Sequence, residues 1–284
     1  MTYEQVEYST SGRIARVTLN RPQYRNAQSS GLLHEVDRAF SEADADPSVR
    51  VIILSGAGEA FSAGHDLGTP EQVQEREQRP EAPTEVEDHF AYSWEHFVDM
   101  SLRWRDLPKP TIAQVHGWCI FGGWLVASAM DMIVAADDAR FMTALLQYFP
   151  LPFDVGPRKA KELLFDNRII GAQEALELGF VNRVVPMAEL ENETTALAER
   201  IAESPAFYLR MVKLAVNQAQ DAMGFRTAVQ GAHAHYMLSQ LSNSQFRRRQ
   251  QREGKLAADE PVEPNKRMPL VAKLLQTDDG VREE

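Results

Sequence analysis

Two short segments constrain this chain more than anything else in it: Phe61-Ser-Ala-Gly-His-Asp-Leu67 and His116-Gly-Trp-Cys-Ile-Phe-Gly-Gly123. Each follows an apolar run with strand character, and each offers glycine-flanked backbone at its end. Glycine has no Cβ, so main chain there can approach another chain or a ligand closely. Two such segments can bring a pair of backbone N–H groups onto one oxygen that becomes negative during a reaction.

Around them, apolar strands expected at Ile14–Leu19, Val51–Ser55, Thr111–His116 and Met132–Ala136 alternate with helical patterns near Ser30–Asp44, Gly122–Met130 and Arg158–Phe165. This alternation is the α/β signal. Pro108 and Pro110 set a stiff turn into the third strand. Between Gly68 and Asp88 lies a charged, proline-bearing stretch poor in apolar residues, expected as a mobile surface loop. The amphipathic stretch Val86–Arg105 after it is expected to return over the site mouth as a lid. From Pro205 onward the pattern is helical, around Met211, Leu214 and Ala215 and again over Phe225–Leu241.

The chain resembles the crotonase (enoyl-CoA hydratase/isomerase) superfamily from about Glu4 to Ala206. The residues that carry the resemblance are the two segments above, Leu19-Asn-Arg-Pro-Gln-Tyr-Arg-Asn-Ala27, and the run from Gly171 through Gly179 to Val185. The resemblance implies an α/β spiral of ββα repeats over residues 1–205 that carries a coenzyme A ester site. It implies a helical carboxy-terminal region over 206–284 that completes the pocket and builds a homotrimer or a dimer of trimers. It also implies oxyanion donors at the amides of His65 and Gly122. Ester contacts are then expected along Arg25, Ala27, Ala63, Gly64, Asp66, Leu67 and Gly123. Arg25 reads equally as a phosphate partner or as a plain surface cation. The expected partner is an acyl-CoA thioester, with coenzyme A entering as part of the substrate and no separate cofactor.

In one respect the chain departs from the family pattern. Hydratases of this family hold a water between two glutamates, and the matching positions here are Leu125 and Leu145; a shift of one residue at the second gives Ala144 or Leu146. None of these ionises, and general acid–base assistance is worth ~10²–10⁴-fold per group. One carboxylate remains nearby: Asp154, in Leu151-Pro-Phe-Asp-Val-Gly-Pro-Arg158, resembles the aspartate that serves as base or nucleophile in dienoyl-CoA isomerases and related members. Its aromatic and proline neighbours would desolvate it and raise its pKa, which suits proton abstraction beside a thioester. A role at the start of the following helix reads nearly as well. An orthodox hydratase with glutamates placed elsewhere, and an acyl-CoA-binding protein without catalysis, stand as alternatives.

Thirty Lys and Arg against 41 Asp and Glu give a net charge of −11, which argues against a nucleic-acid surface. No run of about eighteen apolar residues predicts a membrane span, and the first residues carry no signal-peptide pattern. A single cysteine, Cys119, excludes an internal disulfide and reads as a small buried apolar residue. Together these predict a cytoplasmic protein. No Lys-Ser or Lys-Thr closes a phosphate-binding glycine loop, and no Gly-x-Ser-x-Gly elbow occurs. No metal-ligand spacing stands out. His116 is expected as a hydrogen-bonded structural residue, Glu95, His96 and Asp99 as a solvated lid face, Trp118 and Trp124 as packing, and Arg247–Arg249 as a solvated helix end.

Overall fold

The computed structural model describes residues 2–77 and 86–252, except for the side chains at 75–76 and 244–252. The chain divides into two compact units, Met1–Tyr236 and Met237–Glu284.

In chain order the first unit runs β1 (Val6–Ser11), β2 (Ile14–Leu19), α1 (Ser30–Ala45), β3 (Val51–Gly56), α2 (Pro70–Glu77) and α3 (Val86–Ser93). A π-helical segment, Trp94–Asp99, follows, then α4 (Met100–Arg105), β4 (Thr111–Val115), β5 (Trp118–Ile120), α5 (Gly122–Ser128), β6 (Met132–Ala136) and β7 (Arg140–Met142). Next come α6 (Leu151–Asp154), α7 (Pro157–Asp166), β8 (Ile170–Gly171), α8 (Ala172–Glu177), β9 (Arg183–Val185), α9 (Leu190–Ala202) and α10 (Ala206–Ala222). The last helix, α11, spans Phe225–Arg252.

Five successive buried residues in β3 require cover on both faces of the sheet, as in parallel sheets generally. The side chains alternate between two cores. Ile52 and Leu54 join the cluster that holds Leu32, Val36 and Phe40 of α1. Val51 and Ile53 join the cluster that holds Leu190, Leu197 and Ala198 of α9. The buried positions of α1 recur at helical spacing, and Ser29 caps the helix by accepting from the Leu32 amide at 3.0 Å.

The larger sheet has the order β1-β2-β3-β4-β6-β9, parallel except for β1. A smaller sheet has the order β5-β7-β8. The turns β4-β5-α5 and β6-β7-α6 each give one strand to each sheet and then a helix. This is the crotonase-type α/β spiral expected from the sequence. The strands expected at Ile14, Val51, Thr111 and Met132 are all present, as are the helices near Ser30, Gly122 and Arg158.

Pro70–Glu77 is helical where the sequence predicted loop. The reason is local: Thr69 Oγ1 accepts from the Gln72 amide at 3.4 Å, and Gln72 itself is buried and accepts from the Ser30 amide at 3.1 Å. The rest of that expected loop, residues 78–85, lies outside the described residues, as do the side chains of Arg247–Arg249. Among the described residues no helix is long and apolar enough to cross a membrane.

Candidate active site

The two glycine-flanked segments lie side by side. After β3 the chain folds back tightly, and residues 61–62 run beside the β4–β5 connection: Phe61 N donates to His116 O, Ser62 N to Trp118 O (both 2.9 Å), and Ile120 N to Ser62 O at 3.1 Å. On its other flank the first segment is held by residues 25–28. Ala63 N donates to Arg25 O at 2.9 Å, Gln28 N to Gly64 O at 2.7 Å, and Asp66 N to Gln28 O at 3.0 Å. Gly64 has φ +90°, and a Cβ built on it would stand 2.9 Å from the Gly122 nitrogen and from Ile120 O. Gly123 is pressed as closely, its Cβ position lying 2.5 Å from Ser62 O.

Among the described residues, the amides of His65 and Gly122 are bonded to no backbone acceptor. Just before Gly122, Phe121 holds φ 51° and ψ −110°, a costly conformation for a bulky residue, fixed by its amide donating to Met142 O at 2.8 Å. Strain of this kind is kept where surrounding bonds over-determine it, and here it sets the direction in which the next amide points.

A buried polar network backs the first segment, and three of its members, Gln28, Ser62 and Gln147, had no role assigned from the sequence. Asn26, with φ 54°, donates to Ala57 O and Ala60 O at 2.9 and 2.7 Å and accepts from the Arg21 amide. Ser62 Oγ donates to Asn26 O and accepts from the Gly64 amide and from Gln28 Nε2. The His65 ring lies between two glutamines, with Nδ1 3.3 Å from Gln28 Oε1 and Nε2 3.1 Å from Gln147 Oε1, and Phe97 of the π-helical segment packs on it at 4.5 Å between ring centroids. Burial lowers the His65 pKa, the Gln147 bond working against that, so the ring is neutral at neutral pH. A Cβ on Gly122 would fall 2.4 Å from Gln28 Oε1 and 2.6 Å from His65 Nδ1, so both side chains rest on Gly122.

Asp66 points away from this network. Its carboxylate is buried against Arg21 at 2.8 Å and accepts from the Gly68 and Thr69 amides and the Thr69 hydroxyl. Burial alone would raise its pKa; the Thr69 bonds, the Arg21 guanidinium and the Gly68 amide outweigh that and hold it below the usual carboxylate range. Its side chain is therefore structural. Leu67 is 65% exposed beside it, and Arg25, Ala27 and Ala63 are half-buried on the same run of backbone.

Leu125 lies one turn into α5 and is buried in the core, while Leu145 is half-buried in the loop after β7. Asp154 closes α6. Its Oδ2 accepts from Ser128 Oγ at 3.0 Å, and no side chain caps α7, so the helix-start role has no bond to support it. Burial raises the Asp154 pKa to about 7, with the Ser128 bond opposing the shift. The carboxylate lines a cleft of about 450 Å³ together with Ser128, Tyr148 and Phe225. Gly122 and Ser128 are the two ends of α5, separated by roughly 9 Å of helix.

The remaining expected positions settle into structural roles. His116 Nε2 donates to Gly58 O at 2.8 Å. Trp124 stacks on Phe180 at 3.9 Å, and Cys119 is wholly buried, its thiol pKa pushed well up by desolvation. Glu95 is exposed, Asp99 pairs with Arg103, and His96 bonds Tyr92 O at 2.9 Å. Among the described residues no group of three or more His, Cys, Asp or Glu is placed to hold a metal ion.

Comparison with known proteins points the same way as the geometry. The model of the enoyl-CoA hydratase/isomerase family matches residues 9–260. The Mycobacterium tuberculosis protein named "Putative enoyl-CoA hydratase EchA13" is 41% identical, with 82% of each chain covered. A hydroxycinnamoyl-CoA hydratase-lyase of Pseudomonas fluorescens is 34% identical over 74% of this chain and 77% of its own. Among solved structures, a probable enoyl-CoA hydratase from Mycobacterium thermoresistibile superposes with a TM-score of 0.78 at 40% identity, covering 85% of this chain and 99% of that one.

Proposed function

The chain belongs to the enoyl-CoA hydratase/isomerase family, and from that premise we propose that it holds the thioester carbonyl oxygen of an acyl-CoA between the amides of His65 and Gly122, with Asp154 as the base. The observation that supports this reading is the interlock of Gly64 with Gly122, together with the absence of a backbone acceptor for the His65 and Gly122 amides among the described residues. Two preorganised N–H donors stabilise an enolate oxygen more than the neutral carbonyl it forms from, and losing one such donor typically costs about 10²–10³-fold.

With leucines at 125 and 145, hydration through a glutamate pair has no groups to run it at those positions. The proposed chemistry is therefore proton movement on the acyl chain, as in isomerisation or C–C cleavage, with enolate charge held at the hole. A carboxyl titrating near neutrality is well matched to that transfer. Since Asp154 binds the far end of α5 from Gly122, the proton it takes belongs to the acyl chain beyond the carbonyl carbon. The backbone around Arg25, Ala27, Asp66 and Leu67 would carry the coenzyme A portion. The exposed apolar residues of α10, Phe207, Tyr208, Val212 and Val216, would be covered in a trimer.

The test is deuterium exchange from solvent into a panel of saturated, unsaturated and β-keto CoA esters, with the position of exchange located by mass spectrometry. Exchange that falls at least tenfold in Asp154→Asn while the ester still binds supports the assignment. Equal rates in the two proteins remove Asp154 from the mechanism, and tight binding with no exchange by either favours a protein that only binds acyl-CoA.

A further inference from the structure

We propose that Gln147 is a positioning residue for the oxyanion hole: its amide nitrogen donates to Nε2 of His65 and so holds the neutral ring against Gly122. This rests on the thioester reading above and adds to it a residue, from a different turn of the spiral, that fixes the two donors relative to each other.

The assignment follows from the protons along one buried chain of side chains. Ser62 Oγ has a single hydrogen, and it goes to Asn26 O at 2.9 Å. The Gln28 amide must therefore point its Nε2 at that oxygen, at 3.2 Å, where Gly64 N also donates. That turns Gln28 Oε1 to the His65 ring, 3.3 Å from Nδ1, so the ring hydrogen sits on Nδ1. A neutral imidazole has only one such hydrogen, and burial favours the neutral form. Nε2 is then a lone pair, and the group beside it, at 3.1 Å, is the end of the Gln147 amide. A half-turn about its last bond exchanges that amide's oxygen and nitrogen, and only the nitrogen answers a lone pair. Among the described residues the Gln147 side chain makes no other hydrogen bond, so nothing opposes the half-turn.

The consequence is geometric. The His65 main chain supplies the first proposed donor, and its ring abuts the residue that supplies the second: Nδ1 lies 2.6 Å from where a Cβ on Gly122 would begin, beside Gln28 Oε1 at 2.4 Å. One residue thus touches both donors. Phe97 covers the face of the ring at 4.5 Å between centroids, which resists tilting but not turning in the plane. Hydrogen bonds at both nitrogens resist that turning. Gln147 is buried and comes from the loop between β7 and α6, so the brace reaches the hole from a third segment of chain. Donors in such a hole act through being held in place before the charge develops, so loosening the ring should slow the reaction rather than weaken ester binding.

The probe is the nitrogen-15 spectrum of histidine-labelled free protein, with the His65 signals identified by their loss in His65→Ala. It is read beside deuterium exchange into a CoA ester by wild type, Gln147→Met, His65→Ala and the double variant. Methionine keeps the length of glutamine and removes the N–H. The expected spectrum has Nδ1 protonated and Nε2 unprotonated at neutral pH, with Nε2 moving in Gln147→Met to the higher frequency of a nitrogen that has lost its donor. The expected kcat falls about threefold in Gln147→Met, the worth of one modest hydrogen bond, with KM unchanged. The same change made in His65→Ala should cost nothing further, because Gln147 acts through the ring. A ring proton on Nε2, an Nε2 signal or a kcat that ignores Gln147→Met, or an equal loss with and without the ring overturns this inference and leaves the thioester reading intact. Wild type that exchanges no ester overturns both.

Discussion

The Gly122 nitrogen lies 2.9 Å from where a side chain on Gly64 would begin, so neither segment can move without the other. Substituting alanine at the two positions should therefore have different effects. Gly64→Ala forces a Cβ at φ +90° against two backbone atoms, Gly122 N and Ile120 O, which cannot yield as a side chain can. It should lower stability by about 1–3 kcal/mol and abolish turnover. Gly122→Ala meets the ends of the Gln28 and His65 side chains, which can shift. It should melt near the wild-type temperature yet lose about 10²–10³-fold in kcat/KM as the hole is displaced. Thermal unfolding read beside kinetics separates the two.

His65→Ala keeps the backbone donor and removes only the ring between Gln28 and Gln147. If the amide does the work, kcat/KM should fall by less than about tenfold, far less than for Gly122→Ala. A loss as large as that of Gly122→Ala would transfer the role to the imidazole.

Asp154 makes a pH prediction with a definite sign. Its folded pKa, about 7, lies above its ordinary value of 3.8, so the folded state favours the protonated form. The stability this confers is present below about pH 4 and is lost as pH rises through 7. Asp154→Asn lacks the loss, so its unfolding temperature should gain on wild type between those pH values and stay ahead above them. Exchange activity in wild type should rise as pH passes through about 7, where the folded carboxyl ionises. Parallel stability curves for the two proteins would place the carboxyl in contact with water.

The Arg21–Asp66 pair predicts the opposite slope. The Asp66 carboxyl is held below its ordinary pKa, so its contribution is present above about pH 4 and is lost as pH falls through the folded value. Removing only the cation, in Arg21→Met, strands a buried carboxylate and should cost about 3–5 kcal/mol, nearer the lower figure because the Thr69 and Gly68 bonds remain. Chemical denaturation at neutral pH measures it; a cost under about 1 kcal/mol would mean that Asp66 takes up a proton instead.

What could be read from the chain follows from where each signal is written. The strands Ile14–Leu19 and Val51–Gly56 and the helix Ser30–Ala45 are continuous stretches whose hydropathy repeats locally. The glycines at 64, 122 and 123 stand out because their lack of a side chain is itself the signal. Gln28, Ser128, Gln147 and Tyr148 carry no such mark. His65 meets Gln147 across 82 positions and Ser128 meets Asp154 across 26, so their parts exist only once the spiral closes. Strands β5, β7 and β8 are two or three residues long, too short for a period-two pattern to register. The helix Pro70–Glu77 was hidden by its charge, since a single buried glutamine and a threonine cap hold it rather than an apolar face.

The central claim, that the amides of His65 and Gly122 jointly hold the thioester oxygen, is tested most directly by isotope-edited infrared spectroscopy of a carbonyl-labelled acyl-CoA bound to Asp154→Asn, which slows turnover and keeps the hole. Two converging N–H donors should move the labelled carbonyl stretch to lower frequency than in water, and Gly122→Ala in the same background should return it toward the free value. A bound thioester whose stretch matches that in water, or one unaffected by Gly122→Ala, would contradict the account.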